Sequence, residues 1–288
     1  MVFSTEVRAT ELLLIGYFAY TSVLAMLLPL DFAVRVQTLV GNLTIFAAFA
    51  LLYWFRRPWL EILRDWLPLA LTLTAYRQMG WFAPQHHTYE LERAWIVWDR
   101  VLLRDWGLRA AIESLGALLP AVLEISYLLV YAIGAFGLAM LYVYGARDRA
   151  DRFLFLAVAG LLLSYSQFPF WPSEPPRTVF PGEDFPTVVT VFRRFNGYIL
   201  GGYGIHTSVF PSAHVSGAFA AAWSMMRALP EQPWVGRVLL VLAIFIAVAT
   251  VYGRYHYAVD ALAGFGVSLL ALALAFLVGR GTGGRSRL

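Results

Sequence analysis

Residues 256–278 read HYAVDALAGFGVSLLALALAFLV, an apolar run with a histidine and an aspartate at its beginning. A helix of about 20 apolar residues is long enough to cross a lipid bilayer. His256 and Asp260 are four residues apart, so their side chains lie on the same face of that helix. The Asp260 carboxylate can then accept a hydrogen bond from one ring N–H of His256 and hold a single tautomer. The other ring nitrogen is left as a nucleophile.

Similar apolar stretches recur along the rest of the chain, which is 60% hydrophobic and 14% charged with a mean hydropathy of +0.65. Continuous apolar runs favour membrane helices over the alternating pattern of a β-barrel. We therefore predict an all-α, polytopic helical membrane protein with about six to eight transmembrane helices. The predicted spans are residues 12–30, 38–55, 66–82, 119–144, 153–170, 209–229, 238–252 and 259–278. Because residues 66–82 include Arg77, the sequence leaves open whether that stretch crosses completely.

Three regions are predicted along the chain. Residues 1–164 hold N-terminal transmembrane helices and an amphipathic interfacial helix over residues 84–113. Residues 165–280 form the catalytic membrane core, and the Gly- and Arg-rich residues 281–288 form a disordered tail. The arginines of the interfacial segment are expected to be balanced by its own acids, Glu90, Glu92, Asp99 and Asp105.

The charged residues predict an orientation in the membrane. All 22 basic residues are arginine, and the net charge of +4 does not imply a nucleic-acid partner. If the spans alternate, arginines concentrate in segments 56–65, 145–152, 227–237 and 280–288, on the membrane side opposite His256. Because arginine-rich short loops stay in the cytoplasm, His256 is expected to face the periplasm or the cell exterior. The absence of cysteine excludes disulfides, thiolate catalysis and cysteine metal sites.

A second histidine, His214, follows Pro211-Ser212-Ala213 at the start of another apolar helix. Between residues 214 and 256 the chain has room for two crossings of about 20 residues each, which returns it to the same membrane face. His214, His256 and Asp260 are therefore expected to meet at one membrane boundary. The Ser212 hydroxyl and the backbone N–H groups at this helix N-terminus could face an anion.

These residue types suit phosphoryl transfer. A histidine held by a carboxylate can attack phosphorus and form a phosphohistidine. A second histidine can protonate the departing oxygen and then activate water or an alcohol. Arginine side chains and helix dipoles can neutralise the transition state without a metal, so no metal and no cofactor are predicted. The proline-rich loop 171–208 supplies Arg177, Arg193 and Arg194, whereas its His206 is interpreted as loop structure.

The motif Pro211-Ser212-Ala213-His214, followed by His256-Tyr257-Ala258-Val259-Asp260 and Gly264, resembles the type 2 phosphatidic acid phosphatase superfamily. The resemblance covers about residues 165–275 and is greatest to the branch that contains inositol phosphorylceramide synthases and their bacterial relatives. It implies a helical bundle that removes or transfers a lipid phosphate headgroup in a bacterial inner membrane.

The same resemblance implies roles for individual residues. His256 would be the nucleophile, Asp260 its orienting partner and His214 the general acid, while Ser212 would bind phosphate oxygens. A Ser-Arg pair of the family is replaced here by Ala249-Thr250, and the family's lysine-containing first motif is absent. The substitutes expected to bind phosphate are Arg254, two residues before His256, Arg177 in Pro175-Pro176-Arg177, and Arg194.

Other interpretations remain open at this stage. His214, His256 and Asp260 have the ligand types of a zinc site. A non-catalytic lipid transporter or membrane scaffold could use the same fold. Water, an alcohol or a polyol could accept the phosphoryl group, and the oligomeric state is not determined. Arg77 and Glu124, near the outer ends of their spans, could form structural ion pairs or line a headgroup pocket.

Overall fold

The computed structural model of the protein describes residues 7–55, 57–82, 87–205, 207 and 209–281. About 80% of the chain is helical, and the described residues contain no β-strand. The helices of the first half are α1 (Ala9–Leu27), α2 (Phe32–Trp54), α3 (Pro58–Phe82), α4 (Glu90–Arg100), α5 (Leu108–Glu113), α6 (Leu118–Leu129) and α7 (Ile133–Val143). Those of the second half are α8 (Ala150–Tyr165), α9 (Pro176–Val179), α10 (Val191–Tyr203), α11 (Ala213–Ala228), α12 (Pro233–Tyr252) and α13 (Ala258–Gly281).

Six segments of the described chain are long and apolar enough to cross a membrane: Ala9–Leu27, Phe32–Trp54, Leu118–Val143, Arg147–Phe170, Pro233–Tyr252 and Ala258–Val278. Each coincides with a span predicted from the sequence. The prediction of an all-α, polytopic membrane protein is confirmed, and the chain is an integral membrane protein. The two other predicted spans are also helical, as α3 and the 16-residue α11.

Helix α3 differs from its prediction at its beginning. It starts at Pro58 and runs for 25 residues, whereas the apolar pattern begins at residue 66. Proline is tolerated in the first turn of a helix because that turn has no internal acceptor for its N–H. At about 1.5 Å per residue the helix is about 37 Å long, which exceeds the roughly 30 Å of a hydrocarbon core.

The charged first turns of α3 lie in a buried ion network. Arg64 contacts Glu11 of α1 at 2.7 Å, and Asp65 accepts from Arg8 at 2.6 Å and from Arg147 at 2.7 Å. We call this part of the bundle the basic end. Buried charges need partners, and here the partners come from different segments. The network therefore joins the beginnings of α1 and α3 to the segment before α8.

Helix α11 lies at the centre of the bundle and packs against α8, α12 and α13. Small residues allow these helices to approach closely. A Cβ atom on Gly160 of α8 would meet Ala220 and the carbonyl of Ser216, and one on Gly264 of α13 would collide with the carbonyl of Ser212. The Gly264 contact brings the first turn of α11 against α13 beside Asp260.

The predicted interfacial segment consists of α4, a π-helix over Val101–Asp105 and α5. Trp98 and Trp106 expose about three quarters of their surface, as expected for residues at a membrane interface. The balance of charge differs from the expectation. Arg100 pairs with Glu183 and Arg104 with Asp184, so the loop before α10 supplies the acids. The loop folds back over the segment and brings acids that are distant in sequence next to these arginines. Spacing within the segment could not have predicted these pairs.

Two predictions fall on residues outside the described part of the chain. The interpretation of His206 as loop structure is one. The disorder of residues 281–288 is the other, since only Gly281 of that tail is described. The division into regions 1–164 and 165–280 stays a prediction.

Candidate active site

The start of α11 positions His214. Ser212 caps the helix: its Oγ accepts the Val215 N–H at 3.4 Å, and the residue is fully buried. The Ser212 N–H donates to the carbonyl of Asp260 at 3.0 Å, which ties the start of α11 to the first turn of α13. His214 therefore occupies the first turn of a helix whose end is anchored to the other half of the site.

A tight turn between α12 and α13 positions His256. The backbone N–H groups of Tyr255 and His256 both donate to the carbonyl of Thr250, at 2.9 and 3.0 Å. Arg254 adopts a left-handed conformation with φ of 62°, an uncommon conformation for a residue with a side chain. Helix α13 begins at once, and the Ala258 N–H donates to Asp99 of α4 at 2.8 Å.

The two histidines and the aspartate lie together. His256 Nε2 is 3.2 Å from His214 Nδ1, within hydrogen-bonding distance. His256 Nδ1 is 3.4 Å from Asp260 Oδ2, which also accepts the Tyr257 N–H at 2.8 Å. The Nδ1 contact is long and leaves this nitrogen without a well-aligned hydrogen bond to a described residue. Such contacts in ligand-free sites often tighten when a substrate binds.

The electrostatic environment of the site favours the neutral form of His256. Only 5% of His256 is exposed, and Asp260 is fully buried. Burial lowers the pKa of His256 well below its usual range, and nearby His214 and Arg177 lower it further. A neutral imidazole keeps the lone pair that a nucleophile needs.

Of the candidate phosphate-binding arginines, Arg177 lies beside the histidines. It lines the same cavity as His214 and His256, and its Nη1 donates to the Tyr255 carbonyl at 3.3 Å. Its guanidinium lies 5.8 Å from the centre of the Tyr255 ring, where a cation is attracted by the ring. The Arg177 backbone N–H also donates to the carbonyl of Arg254 at 3.3 Å.

The structure places Arg254 and Arg194 elsewhere. Arg254 is fully buried and forms an ion pair with Asp99, although its Nε and Nη2 have no hydrogen-bond partner among the described residues. Arg194 is exposed on α10. Neither arginine lines the cavity beside the histidines, and nor does Ser212. Their assignment as phosphate ligands stays a prediction.

A network around Glu124 was not expected in this form. Its carboxylate accepts from Arg193 at 2.9 Å, from Asn196 at 2.7 Å and from the Tyr255 hydroxyl at 2.6 Å. Arg77 instead donates to the carbonyl of Tyr203 at 2.8 Å. Glu124 is an acid within an apolar span, and such a residue in the sequence indicates a buried polar network. The network fixes Tyr255, which precedes His256.

The site opens into a cavity of about 420 Å³. The two histidines and Arg177 lie at one end. Along α3 the lining extends from Tyr76 to Trp66, which spans about 15 Å of helix. Among the described residues, no group of three or more His, Asp or Glu side chains could hold a metal ion.

Residues 93–274, more than half of the chain, match the PAP2 superfamily. The chain belongs to the PAP2 superfamily. The matched region of this PAP2 protein contains both histidines, Asp260 and Arg177. It begins at residue 93, well before residue 165, where the resemblance of the sequence motifs begins.

A relative of this PAP2 protein supports the same family. A PA-phosphatase related-family protein of Dictyostelium discoideum is 44% identical over 63 residues, which cover 22% of this chain and 11% of the relative. No solved structure gives a significant match. The predicted superfamily is confirmed, whereas the synthase-like branch stays a prediction.

Proposed function

We propose that this PAP2 protein is a lipid phosphatase that acts through a phosphohistidine on His256. The observation that carries the proposal is the approach of His256 Nε2 and His214 Nδ1 to 3.2 Å, with Asp260 on the opposite side of the His256 ring. One nucleophile, one proton donor and one orienting carboxylate are the groups that a two-step displacement requires. The family and the name of the Dictyostelium relative agree with a phosphate-containing lipid as substrate.

In the first step, His256 Nε2 attacks phosphorus and the bond from phosphorus to the lipid oxygen breaks. The negative charge of the bound phosphate favours the protonated form of His214. Protonated His214 then gives its Nδ1 proton to the leaving oxygen, so the lipid leaves as an alcohol. In the second step, water attacks the phosphohistidine and gives a proton to His214. The phosphorus–nitrogen bond breaks, phosphate leaves and His256 is again neutral.

Arg177 is the arginine best placed to neutralise the charge on the phosphate. A guanidinium can donate two parallel hydrogen bonds to phosphate oxygens. The N-terminus of α11, where Ser212 and His214 lie, adds the positive end of a helix dipole. These groups stabilise a transition state in which charge develops on the phosphate oxygens, without a step that needs a cofactor.

The second candidate is a phosphotransferase of the inositol phosphorylceramide synthase type, in which an alcohol replaces water in the second step. We favour water because it needs no dedicated binding site. The orientation with the site towards the periplasm or cell exterior, and the bacterial inner membrane as its location, rest on the arginine distribution and the sequence resemblance. A non-catalytic transporter or scaffold is not favoured, because the three side chains converge as a reactive set.

The proposal is tested with the purified, detergent-solubilised protein and a panel of lipid phosphates. We expect the protein to release inorganic phosphate. EDTA should leave the rate of release unchanged, and His256→Ala should abolish release. Brief reaction with a ³²P-labelled substrate followed by an alkaline quench should trap an acid-labile label on the wild-type chain. Candidate alcohols in the same assay distinguish the acceptors, because transfer yields a phosphodiester. Wild-type turnover by a folded His256→Ala variant would reject the mechanism, and loss of activity with EDTA would favour zinc.

A further inference from the structure

Besides Tyr255, four tyrosines from different parts of the bundle line the active-site cavity. Tyr76 belongs to α3, Tyr127 to α6 and Tyr165 to α8, and Tyr131 lies in the turn that joins α6 to α7. We call these four residues the tyrosine cluster. The sequence pattern alone assigns these tyrosines no role in the site, since aromatic residues near helix ends usually mark the membrane interface.

Ring contacts hold the tyrosine cluster beside the catalytic histidines. The Tyr127 ring stacks on the His214 ring, with their centres 5.0 Å apart, and on the Tyr255 ring at 4.1 Å. Tyr131 meets the His214 ring edge-on at 6.1 Å. On the other side of the cavity, the rings of Tyr76 and Tyr165 are 5.8 Å apart. The cluster therefore lies next to the position where phosphorus must bind.

Most hydroxyl groups of the cluster lack a hydrogen-bond partner among the described residues. Tyr76 accepts the Ile205 N–H at 3.0 Å. The hydroxyls of Tyr127, Tyr131 and Tyr165 form no hydrogen bond to any part of the chain that the structure describes. Tyr127 is only 2% exposed and Tyr165 only 6%, whereas 52% of Tyr131 is exposed. Because buried polar groups normally have a partner, the hydroxyls of Tyr127 and Tyr165 are suited to bind a molecule in the cavity, and Tyr131 lines the same cavity.

Polarity changes in order along the cavity. Arg177 and the histidines provide charge and reactive nitrogens at one end, and the tyrosine cluster provides neutral donors beside them. Beyond it the lining is mostly apolar, with Leu69, Leu73 and Leu161 and a single threonine, Thr72. A phenol is uncharged near neutral pH and both donates and accepts hydrogen bonds. Charged phosphate therefore fits the end with Arg177 and the histidines, and an uncharged oxygen group fits beside the tyrosine cluster.

We propose that the tyrosine cluster is a binding subsite for a neutral, oxygen-rich group, a hydroxyl or an ester, next to the phosphate. This inference rests on the proposed function, because that function places the phosphate at His256. Two sources share this chemistry. One is a glycerol-type linker between the phosphate and the tail of the substrate, and the other is a free polyol bound beside it. An alkyl or prenyl phosphate, whose carbon chain begins at the phosphate oxygen, lacks these oxygens.

Equilibrium binding tests the subsite independently of turnover. In a His256→Ala background, isothermal titration calorimetry compares lysophosphatidate with an alkyl phosphate of equal tail length. A second arm measures the alkyl phosphate with and without glycerol or inositol, because a polyol that makes a favourable contact with the bound ligand tightens the binding of that ligand. We expect lysophosphatidate to bind with a Kd about tenfold lower than that of the alkyl phosphate, or a polyol to lower the Kd of the alkyl phosphate about tenfold. Two additional hydrogen bonds would give a change of this size.

Tyr131→Phe/Tyr165→Phe in the same background should reduce either effect to less than threefold. Each single variant should give an intermediate value, which keeps the test valid if the double variant is unstable. Tyr144→Phe is the matched control, because Tyr144 is 40% exposed and lies outside the cavity. Equal binding with no polyol effect, or an effect that survives both Tyr→Phe changes, would overturn the proposal. Failure of the proposed function is a different result, namely a wild-type protein that releases no phosphate.

Discussion

The hydrogen bond between His256 and His214 has a direction that Asp260 sets. A carboxylate beside His256 Nδ1 favours the tautomer with its proton on Nδ1. His256 Nε2 is then unprotonated and can only accept, so the proton of the 3.2 Å contact belongs to His214 Nδ1. Asp260 contacts His256 and not His214, and this contact distinguishes the proposed nucleophile from the proposed acid.

Asp260→Asn should lower kcat by about 10³- to 10⁴-fold, because an amide N–H beside Nδ1 favours the unproductive tautomer, as for the equivalent change in a serine protease triad. KM should change by only a few-fold, since the phosphate-binding groups remain. Steady-state kinetics on a natively eluting variant checks this. Asp31→Asn makes the same change at an exposed carboxylate and should keep wild-type kinetics. A kcat for Asp260→Asn within tenfold of wild type would contradict the assigned role.

Arg177 and Arg194 allow a comparison between two arginines of the same loop region. Arg177→Ala removes the guanidinium beside the histidines and should lower kcat/KM by about 10²- to 10³-fold, as loss of one transition-state donor typically does. Arg194 is exposed on α10, so Arg194→Ala should lower kcat/KM by less than about threefold. Both are measured on a short-chain lipid phosphate. The reverse order of losses would assign phosphate binding to Arg194.

At the scale of the elements, one glycine decides how close two helices approach. Gly264 of α13 faces the carbonyl of Ser212, and the neighbouring Gly266 has no atom within 4 Å of a Cβ position. Close approach lets the Ser212 N–H reach the carbonyl of Asp260. The distance between His214 and His256 thus depends on the lack of a side chain at Gly264.

Gly264→Ala should separate α11 from α13 and destabilise the protein by about 1–3 kcal/mol, the usual cost of overpacking. Activity should fall with it, because His214 and His256 move apart. Gly266→Ala is the matched control on the same helix and should preserve both properties. Thermal unfolding in detergent and phosphate release are the two measurements. Equal behaviour of the two variants would mean that the Gly264 contact does not set the geometry of the site.

The interfacial helix α4 supports the site through Asp99. This residue accepts from the Arg254 guanidinium and from the Ala258 N–H at the start of α13. Burial raises the pKa of Asp99, and the positive charge of Arg254 opposes that rise. The predicted interfacial helix α4 is in this way joined to the turn that carries His256.

Asp99→Asn should leave the buried Arg254 charge unpaired and destabilise the protein by about 3–5 kcal/mol. Glu183→Gln breaks the ion pair with Arg100, in which both side chains are about 40% exposed, and should cost about 0–1 kcal/mol. Denaturant unfolding in mild detergent compares the two carboxylate-to-amide changes. A loss for Asp99→Asn as small as that for Glu183→Gln would show that Arg254 finds another partner.

At the scale of the whole molecule, the two ends of the helical bundle differ in their charged residues. The network of Arg64, Asp65 and Arg147 forms the basic end, and the histidines lie at the other end of α3 and α8. The distribution of arginine predicts that the basic end is cytoplasmic.

The absence of cysteine makes this orientation directly testable. Val189→Cys lies at the histidine end and Asp148→Cys at the basic end, and both side chains are exposed. In intact cells, a membrane-impermeant maleimide should label Val189→Cys at once and Asp148→Cys only after lysis. Labelling in the opposite order would place the active site in the cytoplasm and would leave the chemistry of the site unaffected.

The sequence by itself determined the membrane fold, six of the eight predicted spans, and the convergence of His214, His256 and Asp260. These depend on periodicity, on a spacing of four residues and on counting crossings, all of which are local or additive properties. Only the tertiary structure decided which arginine lies beside the histidines, that Asp99 holds Arg254, and that four tyrosines from distant segments line one cavity. Such contacts depend on how an irregular loop folds and how helices pack, and no periodic pattern along the chain encodes either of them.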